Sequence, residues 1–190
     1  MRSVAPEVEG LYGIADSAFG DPLAQARLLA DEGVAIVQLR CKGWSTAGRI
    51  ALARVCPPVC LVINDDVDAA RAVGAWAHLG QEDGPDPAGT TFGRSTHSVA
   101  QAASPGAAAY VGFGPVFATD TKDTGYDARG LDLLAEVVRV SPVPVVAIGG
   151  VTPARLDALR ATGVHAWTAI GAVWTAPDPR AAIRALRARS

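Results

Sequence analysis

The chain has 190 residues, of which 49% are hydrophobic and 19% charged, long and apolar enough for one sizeable core and unlike a disordered chain. Lys and Arg number 17 against 19 Asp and Glu, a net charge of −2, which excludes a basic footprint for nucleic acid. Any anion bound by such a chain must be held by local groups. The first ten residues contain no apolar stretch of the signal-peptide kind and no run is long enough to span a bilayer, so the expectation is a cytoplasmic protein that does not engage membranes. Cys41, Cys56 and Cys60 lack zinc spacing and a neighbouring His, and read as free thiols in a reducing compartment.

In chain order, Gly10 to Ala15 is a short apolar run ending at Asp16, read as a strand. Asp21-Pro22 caps and opens a helix that Gly33 stops. Val34 to Val37 is a second strand, running into Gln38, Arg40 and Lys42; Ser45-Thr46 caps a helix to about Val55. Val59 to Ile63 ends in Asn64-Asp65-Asp66, a short helix spans Val67 to Val73, and Ala75 to Leu79 gives onto Gln81 and Asp83. Thr90 to Gly93 leads to Ser95, Val99 to Ala103 is a short helix, and Ala107 to Phe113 is a buried strand followed by a loop with Thr119, Thr121 and Lys122. Leu131 to Val140 is amphipathic, Pro144 to Ile148 ends in Gly149-Gly150, and Pro153 opens a helix to Ala161. His165 to Ile170 is the eighth strand, and a closing helix follows Pro179.

Eight strands alternating with helices predict an α/β fold, a compact (β/α)8 TIM barrel in a single domain over residues 1–190. At about 24 residues per unit several helices must be minimal. The alternative, a doubly wound open sheet, lacks a Gly-rich dinucleotide fingerprint after its first strand.

The polar groups fall where the apolar runs end, and in a barrel all strand C-termini open on one face. Arg40, Lys42, Ser95, Lys122 and the threonines form an anion-binding surface there. Asp65 and Asp83 suit a hard cation with oxygen ligands, with Mg2+ bridging to a diphosphate as the expectation. A cap on the following helix is the competing role for Asp65. Ile148-Gly-Gly150 before Thr152-Pro153 matches the barrel's recurrent phosphate site, with Thr168 completing it. His78 and His97 read as structural, and no Ser-His-Asp or Cys-His arrangement stands out. The inventory favours a reaction that needs anion binding, a divalent metal and a dry pocket, with no covalent nucleophile.

Five segments in order, Gln38-Leu-Arg-Cys-Lys42, Ile63-Asn-Asp-Asp66, His78-Leu-Gly-Gln-Glu-Asp83, Gly114-Pro-Val-Phe-Ala-Thr-Asp-Thr-Lys122 and Ala147-Ile-Gly-Gly150, resemble those of the thiamine phosphate synthase family. The resemblance implies a (β/α)8 barrel that joins a hydroxymethylpyrimidine diphosphate to a thiazole phosphate with Mg2+, releasing pyrophosphate by a dissociative route. It implies that Gln38, Arg40, Lys42 and Asn64 contact the pyrimidine diphosphate, with Ser95 and Lys122 on the diphosphate. It further implies Asp65 and Asp83 as Mg2+ ligands, and Thr119 to Thr121, Gly150, Trp167 and Thr168 around the thiazole phosphate. Lys122, Arg40 and Ser95 are the candidate catalytic groups. Small-molecule substrates are the expected partners, with a homo-oligomer left open.

A related barrel, the thiazole tautomerase, is similar in Gly93-Arg-Ser-Thr-His-Ser98 and Ile148 to Pro153, but tends to lack the acids present here and can carry a histidine where this chain has Pro115. A non-catalytic barrel that binds thiazole phosphate is the third possibility. Trp167 is bulky where the synthases resembled have a small aliphatic residue, and the segment from Lys42 to Asn64 is shorter than theirs.

Overall fold

The apolar runs become parallel strands. In the computed structural model, which describes residues 7–119 and 127–188, these are β1 (Gly10–Leu11), β2 (Gly13–Asp16), β3 (Ile36–Arg40), β4 (Cys60–Asn64), β5 (Trp76–Leu79), β6 (Phe92–Thr96), β7 (Tyr110–Phe113), β8 (Val145–Ala147) and β9 (Ala166–Trp167). The first expected strand is thus two segments separated by Tyr12. β1 pairs with β9, Gly10 opposite Ala166, while β2 pairs with β3, Gly13 opposite Val37. One continuous run therefore joins the two ends of the sheet, whose order is β1-β9-β8-β7-β6-β5-β4-β3-β2, and makes it an eight-stranded barrel.

The helices are α1 (Pro22–Asp31), α2 (Thr46–Val55), α3 (Val67–Val73), α4 (Val99–Ala103), α5 (Gly130–Val140), α6 (Leu156–Arg160), α7 (Gly171–Trp174) and α8 (Pro179–Arg187). Their starts are set by local chemistry. The Asp21 carboxylate accepts from Leu23 N at 2.9 Å, the Ser45 hydroxyl from Gly48 N at 3.2 Å, and the Asp66 carboxylate from Ala69 N at 2.8 Å, each satisfying an amide the helix leaves unpaired. The brevity demanded by chain length falls on α4 and α6, five residues each, and α7, four residues. It spares α2, which at ten residues is as long as α1 despite the short segment around it.

Strand parity divides the apolar residues between two cores. Val37, Leu39, Ile63, Ala77, Val111, Ala147 and Trp167 face outward and pack under the helices. Tyr12, Ile14, Ile36, Val62, Tyr110, Val146 and Ala166 fill the barrel interior. Gly93 makes room for the largest of these, since a Cβ there would lie 2.0 Å from the Tyr110 ring. Above this floor the inward positions turn polar: Gln38 and Arg40 on β3, Asn64 on β4, His78 on β5. A single strand pattern thus supplies both the packed base of the barrel and the lining of its mouth.

Candidate active site

The described candidates all sit at the strand C-termini, as the barrel reading predicts. Thr121 and Lys122 lie outside the described residues. On one side of the mouth Asp65 and Asp83, following β4 and β5, bring their carboxyls into hydrogen-bond contact. Burial, followed by the charge of Asp83, pushes the Asp65 carboxyl above its ordinary value of 3.8; Lys42, whose ammonium is 3.8 Å from Asp65 Oδ2, pulls the other way. Asp65 is also the one described non-glycine residue with a left-handed backbone, φ 61°.

The capping alternative belongs to Asp66. Its carboxylate holds Ala69 N, the Thr46 hydroxyl at 2.9 Å and the Arg49 guanidinium at 3.0 Å. Asp65 is thereby left out of the helix cap and turned to its like-charged neighbour. Two carboxylates held together against repulsion fit a divalent cation, which would relieve it. Among the described residues no set of three or more His, Cys, Asp or Glu side chains gathers. A cation here would complete its shell with water or substrate oxygens.

Arg40 reaches Asp16, 1% exposed, in an ion pair, so the guanidinium enters the mouth from a fixed base. Gln38 and Ser95 stand at the two ends of a buried chain of side chains. Gln38 Nε2 donates to the Tyr12 hydroxyl at 3.0 Å; Tyr12 and Tyr110 hydroxyls are 2.8 Å apart; Tyr110 lies 2.9 Å from His78 Nδ1, and His78 Nε2 2.9 Å from Ser95 Oγ. Burial raises both phenols well above their ordinary range, so each keeps its single proton.

Each phenol proton finds an acceptor within the chain when Tyr12, accepting from Gln38, donates to Tyr110 and Tyr110 donates to His78 Nδ1, and we assign the protons in that direction. With Nδ1 accepting, the proton of a neutral imidazole is assigned to Nε2 and directed at Ser95 Oγ, which leaves the Ser95 hydroxyl proton for a ligand. In this assignment His78 is a donor to Ser95 and does not serve as its base. The thiols are equally unsuited: burial pushes Cys41, Cys56 and Cys60 each up to about 11.

Ser95 also borders a cavity of about 400 Å3 built from the loops after β6 to β9, with Gly114, Thr119, Gly150, Arg155 and Thr168 on its walls. Gly150 has φ 63°, and a Cβ there would stand 2.6 Å from Ala118 O, so this close approach admits only glycine. Thr168 is 3% exposed and its Oγ1 has no hydrogen-bond partner among the described residues, a buried donor waiting for an acceptor.

The Trp167 side chain lies away from the mouth. One residue from inward-facing Thr168, it points outward by parity, its indole donating to Leu186 O at 3.1 Å beneath the Arg160 guanidinium. Tyr12, Tyr110 and Arg155 escape a linear reading, and His78 does more than fill the interior.

Residues 11–173 match the family described as thiamine monophosphate synthase. The chain belongs to that family. It is 38% identical over 174 residues to the thiamine-phosphate synthase of Laribacter hongkongensis, covering 82% of this chain and 81% of that one. With the thiamine-phosphate synthase of Parasynechococcus marenigrum it shares 40% identity over 79% of its own length, but spans only 47% of that relative. Among solved structures, the thiamine phosphate pyrophosphorylase of Pyrococcus furiosus superposes with a TM-score of 0.81 at 31% identity, covering 94% of this chain and 93% of the other.

Proposed function

We propose that this protein is a thiamine phosphate synthase, a transferase that couples a hydroxymethylpyrimidine diphosphate to a thiazole phosphate and releases pyrophosphate. The observation that carries the reading is the position of Ser95, whose hydroxyl stands where the polar chain from Gln38 meets the cavity of about 400 Å3. One substrate would lie over Gln38, Asn64 and the acids, the other in the cavity, with Ser95 at their boundary.

The reaction breaks the bond between the pyrimidine methylene carbon and the diphosphate oxygen, and the electron pair leaves with the diphosphate. The lone pair of the thiazole nitrogen then forms the new C–N bond to the methylene. No proton moves from carbon and no covalent enzyme intermediate is needed. The chain's own task is electrostatic. Ser95 donates to a diphosphate oxygen, Arg40 presents a guanidinium braced by Asp16, Lys42 adds charge at the rim, and Lys122 is assigned to the leaving group. Asp65 and Asp83 would hold Mg2+, which supplies charge neutralisation of the diphosphate when bound. Thr119, Thr121, Gly150, Thr168 and the Trp167 main chain are assigned to the thiazole phosphate. A proton-transfer tautomerase is disfavoured by Pro115, which has no group to carry the proton.

The test is an assay of the purified protein with both substrates and Mg2+, following thiamine phosphate by its fluorescent oxidation product. Product that disappears with EDTA and returns with Mg2+ is expected. Absence of product from folded protein with both substrates and metal present would overturn the assignment.

A further inference from the structure

Arg155, in the 3-10 turn Pro153–Arg155 after β8, looks like a surface residue in sequence and is exposed in the structure. Its guanidinium is nonetheless fixed. One amino group donates to Gly150 O at 2.6 Å, and the plane lies over the Phe117 ring at 4.6 Å from its centre. Gly150 belongs to the wall of the cavity and Phe117 to the loop after β7, and the Arg155 side chain lines that cavity.

Two features of the cavity then matter. Among its described lining residues Arg155 is the only Lys or Arg, and none is Asp or Glu. No carboxylate among the described residues pairs with it, whereas Arg40, Arg49 and Arg94 each have one. The wall also carries the buried Thr168 hydroxyl, which has no hydrogen-bond partner among the described residues. A guanidinium has five N–H donors in a rigid fork, and the Gly150 carbonyl engages one group of it. The remaining donors, an unpaired hydroxyl and the uncompensated charge together suit a tetrahedral oxyanion with several acceptor oxygens.

We propose that Arg155 is a specificity-determining residue that binds the phosphate monoester of the acceptor substrate and sets the preference for the phosphorylated thiazole over its free alcohol. The proposal deepens the synthase reading and rests on it for the identity of the substrate. Its chemistry is anion binding, and that part is measurable without turnover. Position matters as well as charge: held by Gly150 and Phe117, the fork is placed before the ligand arrives, which reduces the entropy lost on binding.

The experiment compares wild type with Arg155→Ala and Arg155→Lys. In turnover, Arg155→Ala should raise the KM for the thiazole phosphate about tenfold, as expected for losing a charged hydrogen bond at a partly exposed site, with the KM for the pyrimidine diphosphate unchanged. The preference for phosphorylated over unphosphorylated thiazole should narrow by the same factor, and Arg155→Lys should recover part of it. Calorimetric titration of the free proteins with inorganic phosphate should show a matching weakening in Arg155→Ala. An equal rise in KM for both substrates, an unaltered preference for the phosphorylated acceptor, or unchanged phosphate affinity would each overturn the proposal. Failure of wild type to form product would count against the synthase reading alone, because phosphate titration still reads Arg155 directly.

Discussion

His78 Nε2 and Ser95 Oγ lie 2.9 Å apart, and the phenol 2.9 Å from Nδ1 on the far side of the imidazole assigns the donor role to Nε2. Tyr110, 1% exposed and stacked on His78 with ring centres 5.6 Å apart, holds Nδ1 as the acceptor end. The Ser95 proton is thus aimed by a group that touches no ligand. Tyr110→Phe keeps the ring and removes only the hydroxyl, so we expect kcat/KM to fall about tenfold, the scale of one misdirected hydrogen bond together with the partners left unpaired. In a Ser95→Ala background the same change should add almost nothing, because its effect passes through the serine. Steady-state kinetics of the four proteins decide the matter. Independent, multiplicative losses would mean that Tyr110 serves packing instead.

The Asp65 and Asp83 pair makes a second expectation with a definite sign. Burial and then the Asp83 charge raise the folded-state value of Asp65 above 3.8. A carboxyl with a raised folded value binds protons more readily folded than unfolded. Its stabilising contribution is present below the ordinary value and is lost as pH rises through the folded value, where it ionises beside Asp83. In chelator, Asp65→Asn should therefore melt higher than wild type at neutral pH, with the difference shrinking towards acid. Asparagine tolerates the left-handed backbone, so the substitution leaves φ 61° accessible. The same variant should lose turnover by orders of magnitude and lose the rise in melting temperature that Mg2+ gives wild type. Melting curves across pH, with and without Mg2+, test both halves. A variant that melts lower than wild type in chelator would contradict the repulsion argument.

How much of this was legible in the chain follows from which interactions are local. Strand ends and helix starts depend on runs of a few residues and on caps such as Asp21 and Ser45, and these could be read directly. Asp65 and Asp83 stand out in the sequence because each follows an apolar run. The direction of Trp167 could not be settled, since it needs the parity of β9 relative to Thr168, and a strand of two residues gives no pattern. Tyr12 and Tyr110 meet across 98 residues of chain, and each alone looks like an ordinary apolar position. Arg155 resembles a helix-surface arginine until the loop holding Phe117 is folded beneath it. The first strand was recognised, but its division at Tyr12 is a product of closure and has no local signal.

Closure also sets the last expectation, at the end of the barrel away from the mouth. Glu32, 7% exposed at the end of α1, receives Arg180 and Arg184 from α8, with Arg184 Nε at 2.7 Å, while Arg187 donates to its carbonyl. α8 is otherwise held by Ile183 and Leu186, both fully buried, so the charges fix its orientation over an apolar contact. Hydrogen bonding from Arg184, then from Arg180, lowers the Glu32 carboxyl below its ordinary value of 4.5 despite its desolvation. A lowered folded value contributes stability that is present above the ordinary value and lost as pH falls through the folded one. Glu32→Gln should therefore lower the melting temperature at neutral pH, and the gap to wild type should close in acid, below 4.5. Kinetic constants near neutral pH should stay unchanged below the melting transition, because Glu32 has no contact with the mouth. A gap that persists in strong acid would assign the stabilisation to packing of the side chain, and loss of turnover in folded Glu32→Gln would show that α8 bears on the site.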